Sequence, residues 1–573
     1  MTENRKGKVI PFQQSAGFYM KRGAKDMVKN DMLGALQRYR LAHMAAPDEA
    51  EPLMALAEIL SHMQRFEESN RLILLFMSRA EATPECHFGL ACNYFGMREY
   101  DYAAESLENC LRLEPDGPFA ADAEDFLDLL DDDEAMFETV GLKEDADFDA
   151  NAACVYARHL MAAADYRTAI AVLEHELKRE PDSVMLKNQL ALAYFCNGER
   201  AKAETLTRAL LDGGRGDLQT RCNHAMLLMT GGDKAAADAA IDELLNLRTE
   251  SPEILHSMAV LLLESERYAD ALRVLGELRR LQPYDRSTLH MLGLCRYRLG
   301  DTSGAQECYR RLMRIDPDDS VAAYYFKRSR KTDMDERSFR THWVIAYQVP
   351  FSEAFRRLNH INRCLLLPDE ELRALWTEGR RFQNLLLWAL TLTEQRIKKS
   401  ILSLLCLYGD ARAEELLRDF LLRTDQPDEL KRLVFGLLKH MGAKEPYMAY
   451  LDGRWLQGCV NLVPLDYTLP AAYEAVIQLA IQAMNGYYPN ECLSAAAGVF
   501  KRYADSLQKR FPRISSMQVS SMAAALELIG CRACEVAVDE GELCARYRIS
   551  ATRLRNAMNK LAPFASEAGD ERT

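Results

Sequence analysis

"LHMLGLCRYRLGDTSGAQECYRRLMRIDPDD" (residues 289–319) decides the fold. Apolar residues recur three and four apart on either side of Gly300, which predicts two helices joined by a tight turn. Glycine suits that turn because it adopts left-handed backbone without strain. Pro317 closes the second helix, since proline lacks the amide N–H and clashes with the preceding turn. The same beat returns every 34 residues, in blocks starting at 16, 50 and 84 and again at 150, 184, 218, 252 and 286. The eighth place of these blocks holds Gly23, Ala57, Ala91, Ala157, Ala191, Ala225, Ala259 and Gly293. The twentieth holds Ala35, Ser69, Ala103, Ala169, Ala203, Ala237, Ala271 and Ala305, and the thirty-second is proline in five of the eight blocks. Two antiparallel helices approach closely only where both present small side chains, so these places mark the helix crossings. A period of this length means helix pairs stacked in a row, each burying its apolar face on the next.

Over residues 16–117 and 150–325 the pattern resembles tetratricopeptide repeats; "PECHFGLACNYFGMREYDYAAESLENCLRLEPDG" (84–117) is a second close match. The block at 50 departs, with Ser69 for Ala and Glu81 for Pro, which predicts a distorted repeat. The resemblance implies an all-α solenoid, a right-handed superhelix whose concave face holds a peptide or a partner protein, and it implies no catalysis. Carried onto this chain, the concave face is Met161, Met185, Asn188, Leu192, Phe195, Met226, Met229, Val260, Leu263, Leu294 and Tyr297, with His256 and His290 beside them. Flexible thioethers suit a surface that adapts to an apolar ligand. The same stripe also reads as plain core, or as a face covered by the chain's own C-terminal half.

The chain has 573 residues, 85 acidic against 72 basic, and a formal charge of −13. Thirteen acidic residues and one lysine lie in residues 122–149, so the remainder is close to neutral. That run reads as a helix on the third repeat followed by an acidic link: a spacer keeping two arrays apart, a docking strip for a basic partner, or a cover for a basic tail. "MTENRKGKVIPFQQ" has no apolar run of a secretory signal, and "NLLLWALTL" (384–392) is too short to span a bilayer, which makes the cytosol the expected location and a membrane role unexpected. Fifteen scattered cysteines form no disulfide framework. There is no phosphate-binding glycine loop, nucleophile elbow or HExxH. "CRAC" (531–534) with Cys544 lacks a fourth zinc ligand, and His256 and His290 alone are too few. A non-enzyme without cofactor or metal is expected.

The domain reading is a tail (1–15), a first array (16–117), the acidic link (118–149), a second array of five repeats with a capping helix at 320–330 (150–330), a further helical-repeat-like region (331–466), a C-terminal helical bundle (467–563) and a tail (564–573). In 331–466, helices are expected at 353–363, 369–379, 382–407, 411–423 and 426–441, the last capped by Asp425 and ended by Gly442, and Asp452–Gly453 predicts a β-hairpin at 447–460. "DEGELCARYRISATRLRNAMNKL" (539–561) resembles a helix-turn-helix segment, departing at Arg548, where the family favours glycine. The resemblance implies that Thr552, Arg553, Arg555, Asn556 and Asn559 face nucleic acid, against the plainer reading of a packing corner. Two functions follow: a protein-binding scaffold, or a transcription regulator whose groove senses a partner while the tail touches DNA. Oligomeric state is not legible.

Overall fold

Every glycine-or-alanine position of the 34-residue pattern is buried at a helix crossing. The structure, a computed structural model, describes residues 14–47, 49–79, 82–131, 148–331, 335–458, 469–484, 488, 490–507, 510–534 and 536–565. The repeat pairs are α1 (Ala16–Val28) with α2 (Met32–Ala45), α3 (Ala50–His62) with α4 (Phe66–Met77), and α5 (Pro84–Met97) with α6 (Tyr100–Leu113). A single α7 (Ala120–Asp131) follows. Then come α8 (Phe148–Ala162) with α9 (Tyr166–Arg179), α10 (Val184–Cys196) with α11 (Arg200–Asp212), α12 (Leu218–Thr230) with α13 (Lys234–Leu245), α14 (Pro252–Glu264) with α15 (Tyr268–Leu281), and α16 (Arg286–Arg298) with α17 (Thr302–Ile315).

Each turn inside a pair is made the same way. Asn30, Gln64, Arg98, Ala164, Gly198, Gly232, Glu266 and Gly300 all have φ between +58° and +88°. These are the fifteenth residues of the eight blocks, so the backbone repeats even where glycine is absent. Ser69 distorts nothing: its hydroxyl donates to Ala57 O at 2.8 Å and accepts from Asn93 Nδ2 at 2.9 Å, so a polar group takes the place of alanine fully satisfied.

Crossing volume is conserved between the partners. Where the second helix brings Tyr39 or Tyr309, the first helix has Gly23 or Gly293; where it brings Ile73, Leu107, Leu173, Ile241 or Leu275, the first has alanine. A Cβ on Gly293 would lie 2.7 Å from the Tyr309 ring, and one on Gly23 would overlap Tyr39. Gly23→Ala should therefore lower stability by about 1–3 kcal/mol through overpacking. Adding Tyr39→Leu should recover part of that loss, because it recreates the alanine–leucine pairing of the other repeats. Denaturant unfolding of both single variants and the double measures the coupling; strictly additive effects would contradict this packing.

The chain divides into two compact units, residues 1–408 with 422–430, and residues 409–421 with 431–573. In the first, the two arrays are not held apart. Asn151 Nδ2 donates to Arg98 O at 2.8 Å, and His159 Nε2 lies 3.6 Å from Glu99 Oε1. Helix α7 covers the third repeat, its Phe126, Leu127 and Leu130 packing on Ala91 and Leu107, as expected; residues 132–147 of the acidic link lie outside the described residues. The first repeats also meet the last. Arg286 Nη2 reaches Glu68 Oε1 at 2.8 Å, Arg65 Nε reaches Glu68 Oε2 at 2.9 Å, Arg40 donates to Ile315 O, and Arg314 lies 3.7 Å from Asp31. Burial works to raise the Glu68 carboxyl, but Arg286 and Arg65 outweigh it and hold it well below the usual carboxylate range.

The expected capping helix exists as α18 (Ser320–Arg328), but Val321, Ala322 and Tyr325 on it are buried, so the stack does not end there. Helix α19 (Glu336–His342) and the segment through Val349 pack on, followed by α20 (Phe351–Cys364), α21 (Asp369–Glu378), α22 (Arg380–Ala389) and α23 (Gln395–Tyr408). The helix expected over 382–407 is two helices, because residues 390–394 leave helical geometry. The helix expected to start beside Asp425 begins only at Asp428, so Asp425 does not stand next to its first residue; its carboxylate holds Arg423 in two hydrogen bonds of 2.8 and 2.9 Å.

Helices α24 (Ala411–Leu422) and α25 (Asp428–His440) follow, the latter ended by Gly442 at φ +71°. In the second unit the predicted hairpin is present, β1 (Tyr447–Leu451) antiparallel to β2 (Arg454–Gly458), with positive φ at both Asp452 and Gly453, as a type I′ turn requires. It is anchored by the buried Lys431, whose Nζ donates to Tyr450 O at 2.7 Å. The C-terminal bundle is α26 (Ala471–Met484), α27 (Asn490–Ser506), α28 (Ser516–Ala533), α29 (Glu540–Arg546) and α30 (Ala551–Leu561), around one apolar core. Among the described residues no helix is long and apolar enough to cross a membrane.

Candidate functional site

Four of the concave-face residues read from the sequence are spent on structure. Asn188 is 4% exposed and ties one repeat to the next: its Nδ2 donates to Asp217 Oδ1 at 2.8 Å, its Oδ1 accepts from Thr220 Oγ1 at 2.9 Å, and its backbone carbonyl accepts from Asn223 Nδ2 at 3.2 Å. Leu263, Leu294 and Tyr297 are 3%, 2% and 0% exposed. Leu294 and Tyr297 belong to the last pair, α16 with α17, against which the chain's own residues 339–347 are seated. Trp343 stacks on Tyr297 at 4.4 Å and 23°, Phe339 lies parallel to Tyr297 at 6.5 Å, and Tyr297 Oη donates to Lys331 O at 3.0 Å. The sequence reading missed this segment. Its signal is the spacing of Phe339, Trp343 and Tyr347, four apart, with Val344, Ile345 and Ala346 between the last two.

His290 shows how tightly the segment is held. Its Nε2 lies 2.8 Å from Val344 O, and its Nδ1 lies 3.1 Å from Tyr309 Oη. A carbonyl only accepts, so Nε2 carries the proton and Nδ1 accepts from the tyrosine. Burial pushes the imidazole down to about 4, against the opposing pull of Val344 O and Asp319, so the ring is neutral at pH 7. His256 contacts Ser287 Oγ at 3.2 Å, and burial lowers its imidazole as well.

The earlier repeats of the second array present a different face. Met185 is 37% exposed, and Met161, Leu192, Phe195, Met226, Met229 and Val260 are all half-buried. Met161 and Phe195 rest on the core around Leu190 and Tyr194. Phe195 and Met229 occupy the place in their repeats that Tyr297 occupies in the last, and Leu192, Met226 and Val260 the place of Leu294. The groove is thus filled at its last repeat, closed at Leu263 in the repeat before it, and apolar but open over α8–α9 to α12–α13. A separate cavity of about 320 Å³ lies where α3–α4 meets α15–α16, lined by Met63, Arg65, Glu68, Met97, Tyr284 and Arg286 among others, and its arginines are already paired with Glu68.

The tetratricopeptide repeat family model matches residues 157–217 and 256–320. The chain carries tetratricopeptide repeats. It is 29% identical over 220 residues to the TPR repeat-containing protein YvcD of Bacillus subtilis (strain 168), a match covering 38% of this chain and 44% of that protein, so the chain spans less than half the length of this curated relative. Among solved structures it is similar to a tetratricopeptide repeat protein from Parabacteroides merdae ATCC 43184, at 15% identity, TM-score 0.25, over 49% of this chain and 98% of that one. It is similar also to the P58(IPK) TPR domain, at 14% identity, TM-score 0.20, over 55% of this chain and 97% of that one. Repeats of this kind suggest a protein–protein interaction scaffold.

At the other end of the chain, α29 and α30 are joined by a tight turn with Arg548 at φ +52°, and Ser550 caps α30 by accepting from Arg553 N. Leu543, Ile549, Leu554 and Leu561 are buried, with Met558 partly so. Thr552, Arg553, Arg555, Asn556 and Asn559 are all exposed. Arg546, itself exposed, donates to the fully buried Glu527 at 2.7 Å, and Tyr547 Oη donates to the other oxygen of the same carboxylate at 2.7 Å.

Proposed function

We propose that the chain is a non-catalytic scaffold whose repeat groove, over the pairs α8–α9 to α12–α13, binds an apolar segment of a partner protein that carries aromatic side chains. One observation carries this reading: the chain's own Phe339–Tyr347 segment, rich in aromatics, is seated on Tyr297 of the last repeat, while Phe195 and Met229, at the equivalent places, stay half-open. The stretch next to an occupied stretch of the same groove, built from the same places of the repeat, fits the same chemistry. Aromatic side chains supply large contact area with few rotors, and methionines adapt to them.

Panning a library of random peptides on the full chain should enrich sequences with Phe, Trp or Leu at helical or alternating spacing. Phe195→Glu and, separately, Met185→Glu should weaken the selected peptides by about tenfold or more. Met185 is exposed, so its variant should keep the wild-type melting temperature. Peptides that bind both variants as well as the wild type would place recognition elsewhere and overturn the reading.

A further inference from the structure

We infer that the outer side of α20 (Phe351–Cys364) docks an acidic segment of a partner protein that also carries apolar side chains, at a place separate from the groove. The sides of this helix differ sharply. Arg357, Ile361 and Cys364, spaced four and three apart, are buried. Phe351, Phe355 and Asn362 lie along a second side, Arg356, His360 and Arg363 along a third, and all six are exposed. Phe351 and Phe355 are 83% and 57% exposed, their rings stacked at 6.2 Å and 22°. Leu366, just past the helix end, is also exposed. A single exposed apolar side chain is ordinary, but a stacked aromatic pair left open is surface of the kind that marks a contact site.

The pair stands on a fixed platform. Arg357 donates to Ser320 O at 2.9 Å and to Ser320 Oγ at 3.0 Å, and its guanidinium lies 4.9 Å over the Trp388 ring. These contacts fasten the inner side of α20 to α18 and α22, so the outer rings are held from behind. Charge then selects the occupant. Three arginines and a single acidic residue, Glu353, lie on α20. That carboxylate is spent within the helix, accepting from Arg356 at 2.7 and 2.9 Å and from Arg357 at 2.9 Å. Arg356 stays 74% exposed all the same, and Arg363 makes no ion pair among the described residues. Glu370 and Glu371, next in sequence, sit in the first turn of α21, where the helix's own amides favour them. Open rings edged by cations fit a segment whose carboxylates flank its apolar residues. A bilayer fits less well, because the apolar side is broken at Asn359 and Asn362, short of the continuous face that an interfacial helix sinks into lipid. A second copy meeting this side about a two-fold axis would set arginine edge against arginine edge.

The test uses the full chain and a fluorescein-labelled synthetic peptide with Leu and Phe on one helical side and Glu on the other, beside a twin in which every Glu is Lys. Anisotropy is followed from about 50 to 500 mM salt. The acidic peptide should bind and weaken as salt rises, and the lysine twin should bind at least about tenfold less. Phe351→Ser with Phe355→Ser should weaken the acidic peptide by about tenfold or more. Arg356→Ala with Arg363→Ala should weaken it at low salt and remove most of the salt dependence. All four side chains are exposed and Glu353 keeps Arg357, so both variants should retain the wild-type melting curve. Phe195→Glu should leave this binding intact, which separates failure here from failure of the groove reading. Equal binding of the two peptides, or binding that survives the double phenylalanine change, would overturn the inference. So would phosphatidylserine vesicles that pellet the wild type and not the phenylalanine variant, which would assign this side to a membrane. A dimer in sedimentation that the same variant dissolves would assign it to a second copy and overturn the inference equally.

Discussion

Trp343→Ala should destabilise the first unit by about 3–5 kcal/mol, the range for removing a large aromatic from a core that cannot collapse around the gap. Trp343 is 4% exposed and touches rings on every side: Tyr297 at 4.4 Å, Tyr325 at 5.0 Å, and Phe339 and Tyr309 at 6.0 Å. Its indole N–H has no hydrogen-bond partner among the described residues, so the loss is one of packing alone. The rings around it come from α16, α17, α18 and α19, whose backbones are fixed by their own helices, and a void there persists. Trp343→Phe should lose much less, because stacking on Tyr297 is retained. Urea unfolding followed by circular dichroism measures both; a loss below about 1 kcal/mol for the alanine variant would mean that residues 339–347 are a loose strap and not part of the core.

The same cluster should make stability depend on acid through His290. Its imidazole is held at about 4 in the folded protein by burial, against 6.5 in the unfolded chain. A depressed folded value means that the unfolded chain takes up the proton first. The contribution is therefore fully present above pH 6.5 and is lost as pH falls toward 4. Between pH 7 and pH 4.5 the wild type should lose about 2 kcal/mol more than His290→Gln, which has no proton to gain. Unfolding free energies of the two proteins at the two pH values give the difference directly. Parallel pH profiles would show that His290 titrates normally and is not enclosed by Tyr309, Tyr325 and Val344.

Most of the repeat architecture was legible because it rests on local rules. Gly or Ala at fifteen of the sixteen eighth and twentieth places marks the helix crossings by size alone, and all of them, with Ser69, are buried where the spacing put them. The left-handed turn at the fifteenth place was legible only where glycine announced it; Gln64, Arg98, Ala164 and Glu266 adopt the same backbone because the flanking helices impose it. Ser69 looked like a defect because sequence shows the hydroxyl and not Ala57 O, which receives it. The groove was half legible. Its direction follows from the repeat, but occupancy is a long-range property: nothing in Leu294 or Tyr297 says that residues some forty positions later come back to cover them. Asp425 misled for a related reason. An acidic residue ahead of an apolar periodic run reads as a cap, but the helix begins three residues further on, at Asp428, and Asp425 pairs with Arg423.

Residue-by-residue methionine oxidation, measured by mass spectrometry with and without a peptide selected on the full chain, tests the open groove most directly. Met161, Met185, Met226 and Met229 should oxidise well ahead of Met258 and Met291, which are 6% and 1% exposed. The peptide should slow those four and leave Met44, 74% exposed and outside the groove, unchanged. Oxidation of Met226 and Met229 as slow as that of Met291, or a bound peptide that protects none of the four, would contradict a groove open for a partner over these repeats.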